Sequence, residues 1–484
     1  MNPLLLTDGY KVDHRRQYPE GTTLVYSNWT PRKSRIADIE EVVFFGLQYF
    51  IKKYILEDFE NYFFKQPKEK VIKEYNRRIN NYLGENQVGT AHIAALYDLG
   101  YIPMVFKALS EGSSVPMRVP MFTMYNTKPE FFWLTNYFET LLSAVIWMPC
   151  TSATIAKQYR KVLDKFAIET SSIPEFVNWQ GHDFSMRGMA GIEAGVCSSS
   201  GHLLSFTGTD TIPAIDFLEK YYNADSDNEL IGGSVAATEH SVMCMGTTEG
   251  ELETFKRLIC EVYPKGILSI VSDTWDLWKV LTDYLPKLRQ EIINRDGKVV
   301  IRPDSGDPVD IICGNPNAKT AEEKKGVIEL LWDCFGGATN AKGFKELIPQ
   351  IGAIYGDSIT IDRATEICER LKEKGFASTN VVLGIGSFTY QYNTRDTFGF
   401  AMKATYGEVN GEGREIFKDP ITDDGTKKSA KGLMKIEVEN GKYKLVDQVN
   451  WDSEKKGELV EVFRDGKLLV DYSLAQIRNQ IKSY

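Results

Sequence analysis

Polar residues able to do chemistry end seven apolar runs in the middle of the chain. The runs cover residues 176–183, 203–210, 234–240, 267–273, 299–304, 353–357 and 381–387, and they end in Asp183, Asp210, His240, Asp273, Asp304, Asp357 and Ser387. Most successive ends lie roughly 30 residues apart, which is the spacing of a βα unit. The carboxyl ends of barrel strands are where functional groups collect. Aspartate and serine also cap following helices, so each single residue has that second explanation.

Residues 301–308 (IRPDSGDP) form the segment richest in such groups. Arg302 offers a planar fork of donors that suits phosphate. Asp304 is suited to accept hydrogen bonds from ribose hydroxyls or to hold a magnesium-bound water. Ser305 and Gly306 let a backbone approach a phosphate closely. The alternative is a proline-rich turn with an incidental arginine.

Three other strand ends carry groups suited to phosphate or proton chemistry. Gly384, Gly386 and Ser387 form a candidate phosphate loop, although helix packing explains many glycine pairs. Gly356 and Asp357 form another. His240 could carry a proton or accept a phosphoryl group, or it could be structural.

Short basic clusters lie outside these runs. They comprise Arg15, Arg16, Arg32, Lys33, Arg35, Arg395, Lys403 and Lys418. Such residues usually form a solvated face. In an acidic protein they could instead line a tunnel for an anionic substrate.

The elements that must position these residues predict an α/β fold. Seven βα units in series indicate an irregular (β/α) barrel of about seven parallel strands, with a long open parallel sheet as the alternative. We expect this barrel at 170–392 and a polar insertion at 314–325. Residues 1–150 form a mixed α+β region, and 393–484 an antiparallel β region that packs with it, giving a second domain rich in antiparallel strands.

Local signals define elements of these outer regions. Asn440-Gly441 and Asp465-Gly466 predict two tight hairpins, and a helix at about 473–482 ends the chain. Periodicity predicts helices at 42–55, about 132–148 and 153–169, the last two separated by Pro149. Alternation predicts a strand at 117–124.

Composition excludes several function classes. With 57 basic and 66 acidic residues the net charge is −9, which disfavours nucleic-acid binding. No apolar stretch is long enough to span a bilayer, and the N-terminus does not resemble a signal peptide. The seven cysteines are scattered without a C-x-x-C pair, which is typical of reduced cytoplasmic thiols, and the five histidines suggest no metal cluster.

The chain resembles the nicotinamide phosphoribosyltransferases, a family of type II phosphoribosyltransferases, over nearly its whole length. The matching segments are LLLTDGYKV at 4–12, FGLQY at 45–49, WLTN at 133–136, HDF at 182–184 with Arg187-Gly188, GTDT at 208–211, EHS at 239–241, VSD at 271–273, IRPDSG at 301–306, Gly356-Asp357, TRD at 394–396 and FKDP at 417–420. Their shared order makes the resemblance specific. The chain departs from the family pattern at residues 384–388, which are poorer in glycine, and at Ala401, where the family often has serine.

The resemblance implies a homodimer with shared active sites and assigns roles to named residues. Phe184 and Tyr10 of the second subunit would sandwich nicotinamide, and Asp210 would accept its amide N–H and repel nicotinate. Arg187 and Arg302 would approach the ring and the phosphoribosyl group, and Asp304 would bind ribose hydroxyls. The 5′-phosphate and ribose loops would be formed by Gly356, Asp357, Gly386 and Ser387. Pyrophosphate or ATP phosphates would be bound from the neighbouring subunit by Arg32, Arg395 and Lys403, joined by Lys418.

The implied reaction forms nicotinamide mononucleotide and pyrophosphate from nicotinamide and phosphoribosyl pyrophosphate, in NAD salvage. Mg²⁺ would accompany the substrate, with no dedicated metal cluster among the site residues. ATP would act as a coupling substrate by phosphorylating His240, which Asp273 would orient. Alternatives are a nicotinate phosphoribosyltransferase and a barrel sugar-phosphate lyase or isomerase, although no strand end carries the lysine that a Schiff base needs. A dimer that has kept the fold without catalysis is the non-enzymatic alternative.

Overall fold

The computed structural model describes residues 1–356, 358–418 and 430–482. Asp357 lies outside the described residues, as do Asp419 and Pro420 of the FKDP segment. The chain divides into two compact units. The first comprises Met1–Thr154, Phe217–Ala224 and Asn393–Tyr484, and the second comprises Ile155–Asp216 and Asp225–Tyr392.

The second unit is built on a sheet of seven parallel strands. In spatial order the strands are Gly208–Thr209, Gly181–Asp183, Val381–Ile385, Ile351–Tyr355, Asp296–Arg302, Lys265–Val271 and Ala236–Ala237. A parallel bridge between Gly208 and Gly233 links the first strand to the segment just before the last, so the sheet edges approach each other. The predicted irregular barrel of about seven parallel strands is confirmed.

Each predicted run overlaps one of these strands, but the three that come first along the chain are only two or three residues long. In the first run, the residues before strand Gly181–Asp183 are helical instead, in Pro174–Phe176 and Val177–Gln180. In the second, residues 203–207 form a turn and irregular chain before strand Gly208–Thr209. Short apolar runs do not distinguish a buried strand from a buried helix. The longer central strands bury apolar side chains such as Ile301 and Leu383, as expected of a parallel sheet covered on both faces.

Short helices connect these strands. They are His240–Met245, Glu251–Arg257, Leu258–Val262, Leu277–Lys279, Val280–Tyr284, Leu285–Lys287, Arg289–Ile293, Pro308–Cys313, Ala321–Phe335, Ile361–Glu373 and Ser387–Tyr390. Within the predicted polar insertion at 314–325, Thr320 and Glu323 form a capping box that begins Ala321–Phe335, and a break at Gly326 (φ 77°) separates this first turn from the rest of that helix. The extra chain length is taken up by that helix and by the hairpin of Gly337–Thr339 with Lys345–Leu347.

The first unit contains an antiparallel sheet assembled from both ends of the chain. Its strands, in spatial order, are Glu412–Glu415, Ala401–Val409, Thr22–Thr30, Phe122–Asn126, Met104–Ala108, Val460–Arg464 and Lys467–Leu468. Strands Glu41–Val43 and Ser114–Pro116 form a second small sheet. Strand Phe122–Asn126 begins five residues later than the strand predicted at 117–124, because Met117 to Met121 lead out of Ser114–Pro116.

Both predicted hairpins are present. Strands Leu433–Glu439 and Lys442–Val449 flank Asn440-Gly441, and Val460–Arg464 and Lys467–Leu468 flank Asp465-Gly466. All four turn residues have positive φ, between 48° and 79°. These turns need positive φ at both positions, which is why the dipeptides predicted them correctly.

Two helix predictions in this region need correction. Residues 139–170 form one continuous helix, Glu139–Thr170, with Pro149 inside it, so Pro149 does not separate two helices. An interior proline costs roughly 3 kcal/mol, and close packing of the neighbouring turn, where Met148 and Cys150 are buried, offsets this cost. The predicted helix at 42–55 begins instead with strand Glu41–Val43 and continues as Leu47–Phe50 and Ile51–Asp58.

The remaining helical segments of the described chain are mostly short. They are Pro3–Leu5, Gly9–Lys11, His14–Gln17, Glu60–Phe64, Lys68–Leu83, Ala91–Leu99, Pro129–Phe131, Leu134–Tyr137, Met186–Gly188, Ile192–His202, Ile212–Tyr222, Ser378–Asn380, Arg395–Thr397, Trp451–Glu454 and Leu474–Lys482. Within the described ranges, no single helix is long and apolar enough to cross a membrane. Two consecutive segments, Pro129–Tyr137 and Glu139–Thr170, meet the length and composition of a membrane span only when they are taken together. They lie at 44° to each other.

A buried carboxyl group in the first unit predicts a pH-dependent stability. Glu111 accepts hydrogen bonds from the backbone N–H of Gly46 and Gln48 and from the Tyr222 hydroxyl, at 2.9, 2.6 and 3.0 Å. Burial raises its pKa to about 7, although these bonds act in the opposite direction. The folded protein therefore binds a proton more tightly than the unfolded chain, so this group's contribution falls as pH rises from about 4.5 to about 7.

We expect the unfolding free energy of the wild type, relative to Glu111→Gln, to fall by about 3 kcal/mol over that interval. Urea unfolding at pH 4.5, 6 and 8 measures this difference. Glu85→Gln, at an exposed position, is the matched control and should show a constant difference. Parallel pH profiles for wild type and Glu111→Gln would contradict the expectation.

Candidate active site

Charged side chains gather at the carboxyl end of strand Asp296–Arg302. Arg302 is the last residue of the strand, and its charge interacts with Asp304, Asp210, Arg187 and Asp273. Burial lowers the pKa of the Arg302 guanidinium, and the Asp304 and Asp210 carboxylates act against that effect. An arginine remains a cation at neutral pH even so. Its buried Nε atom has no hydrogen-bond partner among the described residues, so the group is available to an anionic ligand.

Asp273 ties two strand-end loops together. Its Oδ2 atom accepts hydrogen bonds from the backbone N–H of Asp304 and the hydroxyl of Ser305, at 2.8 and 2.6 Å. Its Oδ1 atom lies 3.5 Å from His240 Nε2. The Asp273 side chain is 7% exposed and that of His240 is 46% exposed. A buried carboxylate therefore faces one edge of an imidazole whose remainder is open to solvent.

Asp210 is held by two side chains that both reach the same oxygen. His182 Nε2 lies 2.9 Å from Asp210 Oδ1, and the Ser234 hydroxyl donates to Oδ1 at 2.7 Å. Partial burial favours a higher pKa for Asp210, but the His182 contact, the Ser234 bond and the charge of Arg302 outweigh it and lower the pKa. Asp210 is therefore a carboxylate at neutral pH.

The Phe184 ring packs against the ring of His182, the residue that holds the Asp210 carboxylate. Its centroid is 4.5 Å from that of His182, with the planes tilted by 38°. The Phe184 backbone N–H donates to the Ile385 carbonyl at 2.9 Å, which anchors the segment to strand Val381–Ile385. Phe184 is half-buried, and Arg187, in the turn Met186–Gly188, is exposed.

Glycines permit the close packing of the neighbouring strand ends. A Cβ atom on Gly356 would lie 2.5 Å from Asp304 Oδ1, so the Asp304 carboxylate lies directly over the Gly356 backbone. Gly386 precedes helix Ser387–Tyr390, and a Cβ atom on Gly188 would lie 2.0 Å from the Ser387 hydroxyl. A Cβ atom on Gly384 would lie 2.8 Å from the Gly356 carbonyl oxygen, so the 304, 356 and 384 positions pack closely. Asp357 lies outside the described residues.

One strand-end residue has a structural role instead. Asp183 is fully buried, and its oxygens accept four hydrogen bonds, from the N–H and hydroxyl of Ser185 and the hydroxyls of Thr209 and Thr211, at 2.6–3.1 Å. Burial favours a raised pKa for Asp183, but His202 and these bonds lower it. Asp183 thus joins strand ends and does not face a ligand.

The first unit carries a separate cationic group. Lys403 lies in strand Ala401–Val409. Burial is the largest cause that lowers its pKa, and the nearby charges of Arg32, Lys418 and Arg395 lower it further. Glu139 acts in the opposite direction. Arg32 Nε donates to the Gly399 carbonyl at 2.9 Å. Arg32 also lines a cavity of about 400 Å³, whose charged lining residues include the cations Lys33, Arg118 and Lys442 and the carboxylates Glu40 and Glu41. Cations this close repel each other and favour an anionic ligand.

Tyr10 is exposed on the same unit. It lies in the turn Gly9–Lys11 with a side chain 62% exposed, and its ring contacts His14 at 5.3 Å. The neighbouring Lys11 pairs with Glu139 at 2.5 Å. An exposed aromatic ring fixed by its neighbours is available to a flat ligand or to another chain.

The sequence identified most of this cluster but not all of it. It missed His182 and Ser234 as partners of Asp210, although HDF was part of the resemblance. A histidine two residues before an aromatic ring at a strand end is the only local signal, and it is weak. Within the described part of the chain, no group of three or more histidine, cysteine or acidic residues is arranged to hold a metal ion.

Two solved structures share this fold. The structure resembles nicotinate-nucleotide pyrophosphorylase from Pyrococcus furiosus, with a TM-score of 0.57 at 12% identity, covering all of this chain and 95% of that one. It also resembles human nicotinic acid phosphoribosyltransferase, with a TM-score of 0.53 at 13% identity, covering 99% and 93% of the two chains. At such identities the likeness shows the fold.

Sequence comparison identifies the family. Residues 179–467 match the nicotinate phosphoribosyltransferase (NAPRTase) family, and residues 2–88 match the nicotinamide phosphoribosyltransferase N-terminal domain. The chain is 54% identical to nicotinamide phosphoribosyltransferase of Acinetobacter baylyi over 99% of its length and 97% of that protein. It is 38% identical to the enzyme of the same name from Mycoplasma pneumoniae, over 89% and 94% of the two chains. The chain belongs to the nicotinamide phosphoribosyltransferase family.

Proposed function

We propose that this protein transfers the phosphoribosyl group of phosphoribosyl pyrophosphate to nicotinamide, forming nicotinamide mononucleotide and pyrophosphate for NAD salvage. The observation that carries the proposal is the carboxylate of Asp210, held by His182, whose ring contacts that of Phe184, and within the field of Arg302. A carboxylate accepts an amide N–H and repels the carboxylate of nicotinate, so this site favours the amide. The names of the Acinetobacter and Mycoplasma relatives support the same substrate.

The nicotinamide ring stacks on Phe184, and Tyr10 of a second copy of the chain covers its other face. The exposure of Tyr10 supports this arrangement, because stacking would bury an aromatic surface now open to solvent. The Oδ1 atom of Asp210 is already bonded to His182 and Ser234, so Oδ2 is the acceptor for the carboxamide N–H. The enzyme is therefore a homodimer in this proposal.

The phosphoribosyl group lies across the strand ends. Asp304 accepts from the ribose hydroxyls, and Arg302 and Arg187 approach the ring and the phosphoribosyl group. Backbone N–H groups near Gly356 and Gly386, with the Ser387 hydroxyl, bind the 5′-phosphate, and Asp357 serves the ribose. The close approach of Asp304 to the Gly356 backbone supports a single subsite for ribose and phosphate.

The pyridine nitrogen displaces pyrophosphate at the anomeric carbon through a transition state with oxocarbenium character. This nitrogen carries no proton, so the reaction requires no general base. Catalysis comes from positioning and from stabilising charge on the leaving group. Arg32, Arg395, Lys403 and Lys418 of the second copy bind the pyrophosphate or the ATP phosphates. Their mutual proximity supports this role, because an anion would relieve the repulsion among them.

Magnesium fits this site as a partner of the substrate. Mg²⁺ is usually bound by one or two carboxylates together with substrate phosphates, not by a cage of protein ligands. Asp304, and Asp273 in the adjacent loop, are the carboxylates that could hold it. When bound, Mg²⁺ neutralises negative charge on the pyrophosphate.

ATP coupling rests on His240. The γ-phosphoryl group of ATP is transferred to its exposed imidazole, forming an N–P bond as the bond to the β–γ bridging oxygen breaks and ADP leaves, while Asp273 orients the ring through Nε2. That orientation leaves Nδ1 as the nitrogen that accepts the phosphoryl group. The seven free cysteines support the remaining part of the proposal, a reducing, cytoplasmic location.

Product formation tests the function directly. The protein is supplied with phosphoribosyl pyrophosphate and Mg²⁺, and with nicotinamide or nicotinate, each with and without ATP. We expect mononucleotide to form from nicotinamide and not from nicotinate. Product from nicotinate instead would keep the mechanism and overturn the substrate. Product from neither would contradict the proposal, and the glycine-poor loop at 384–388 would be examined first.

Replacing Asp210 by asparagine is expected to lower the selectivity for nicotinamide over nicotinate by about 100-fold. The substitution removes the charge that repels nicotinate and supplies an amide N–H to its carboxylate. The ratio of kcat/KM values for the two substrates measures the change. Asp216→Asn, at an exposed position, is the control and should leave the ratio unchanged; an unchanged ratio in Asp210→Asn would contradict the role of Asp210.

A further inference from the structure

We propose that His182 is a positioning residue that holds the Asp210 carboxylate in the orientation required to select the carboxamide. This inference rests on the proposed function and assigns a role to a side chain that does not itself touch the substrate. Its basis is a hydrogen bond between two strand ends. A carboxylate can only accept, so the 2.9 Å contact requires His182 to donate through Nε2–H to Asp210 Oδ1.

Strand pairing, burial and close packing together fix the position of the His182 imidazole. His182 lies in strand Gly181–Asp183, paired with Gly208 on one side and Gly384 on the other. Its side chain is 10% exposed, and its ring lies 4.5 Å from that of Phe184. A Cβ atom on Gly208 would lie 2.7 Å from His182 Nδ1, so the absence of a side chain at Gly208 is what gives the ring its place. A donor that cannot rotate holds its acceptor well.

Asp210 needs such support because its own side chain is 47% exposed. An exposed aspartate samples several rotamers, and only one of them points Oδ2 at a ring stacked on Phe184. The Ser234 hydroxyl also donates to Oδ1, but Ser234 is itself exposed and its hydroxyl rotates freely about its bond. His182 is therefore the rigid partner of the pair.

The same contact keeps Asp210 charged. Partial burial favours a higher pKa for Asp210, and His182 supplies the first two of the effects that lower it. The contact therefore favours the carboxylate form and, through its geometry, holds that carboxylate in place. Loss of His182 should thus weaken nicotinamide binding.

Two substitutions separate the hydrogen bond from the ring. His182→Phe keeps an aromatic ring against Phe184 but removes the donor, whereas the side-chain amide of His182→Gln places an N–H near the position of Nε2. We expect His182→Phe to raise KM for nicotinamide about 10-fold and to change KM for phosphoribosyl pyrophosphate by less than about twofold. We expect His182→Gln to stay within about threefold of the wild type for both substrates. In the Asp210→Asn background, His182→Phe should produce no further change in KM for nicotinamide.

Several outcomes would overturn the inference. An unchanged KM for nicotinamide in folded His182→Phe would do so. Equal increases in KM for nicotinamide and for phosphoribosyl pyrophosphate would do so as well. A third such outcome is an equal effect of His182→Phe on KM for nicotinamide in the wild-type and Asp210→Asn backgrounds. If His182→Phe does not fold, His182→Asn takes its place, because the shorter asparagine amide leaves the position of Nε2 empty. Equal kinetics for His182→Asn and His182→Gln would then overturn the inference. A wild-type protein that makes no product from nicotinamide contradicts the proposed function instead, so the two failures are distinguishable.

Discussion

Replacing Arg302 by alanine is expected to lower kcat/KM for phosphoribosyl pyrophosphate by about 1,000-fold, a loss of about 4 kcal/mol of transition-state stabilisation. Arg302 is a partly buried cation among Asp304, Asp210 and Asp273. Its removal leaves three carboxylates facing a substrate that is itself strongly negative. Because a bond between a guanidinium and a phosphate is stronger in a partly dry site than in water, the loss should exceed that of an exposed arginine.

Steady-state kinetics with phosphoribosyl pyrophosphate as the varied substrate measures this effect. Arg302→Lys keeps the charge but loses the fork of donors, and should recover only part of the activity. Arg257→Ala, at an exposed position in helix Glu251–Arg257, is the matched control and should behave as the wild type. Equal activity of Arg302→Ala and the control would remove Arg302 from the phosphoribosyl site.

Replacing His240 by alanine is expected to abolish the stimulation of synthesis by ATP while slow basal synthesis remains. The reason is that the displacement at the anomeric carbon requires no base, so the imidazole is needed only as the acceptor of the phosphoryl group. ATP hydrolysis that depends on the other substrates should disappear with the stimulation. Product formation with and without ATP, together with phosphate release, measures both effects.

Asp273→Asn provides the companion variant. It keeps the size of the side chain but weakens the interaction with His240 Nε2 across 3.5 Å, so ATP stimulation should fall without vanishing. Because Asp273 also accepts bonds from Asp304 and Ser305, this variant should lower basal synthesis as well, unlike His240→Ala. Full ATP stimulation in His240→Ala would contradict the phosphohistidine role.

The strand ends were predictable because the signal is local and repeated. Apolar runs that end in a polar residue at βα spacing place Asp210, Asp273 and Asp304 within two residues of an observed strand. The hairpins at Asn440-Gly441 and Asp465-Gly466 were predictable for a similar reason, since positive φ is a property of the residues themselves. The family resemblance, and not the pattern, supplied the roles of individual residues and the substrate.

The elements that sequence reasoning placed wrongly depend on packing. Pro149 usually ends a helix, and it stays inside Glu139–Thr170 because buried neighbours offset the lost hydrogen bond. The short strand Gly181–Asp183 is preceded by helical residues that their apolar composition could not distinguish from strand. In each case a tertiary contact outweighs a local preference.

The sequence by itself therefore determined the class of fold, the order of the strand-end residues along the chain and the two hairpin turns, because these follow from periodicity and from backbone preferences of single residues. Only the tertiary structure decided which strand-end carboxylates face a ligand. Asp183 and Asp210 look alike in sequence, yet Asp183 is buried under four hydrogen bonds and Asp210 is half-exposed beside His182 and Phe184. Burial and hydrogen-bond partners depend on residues that are distant in the chain and meet only when the sheet forms.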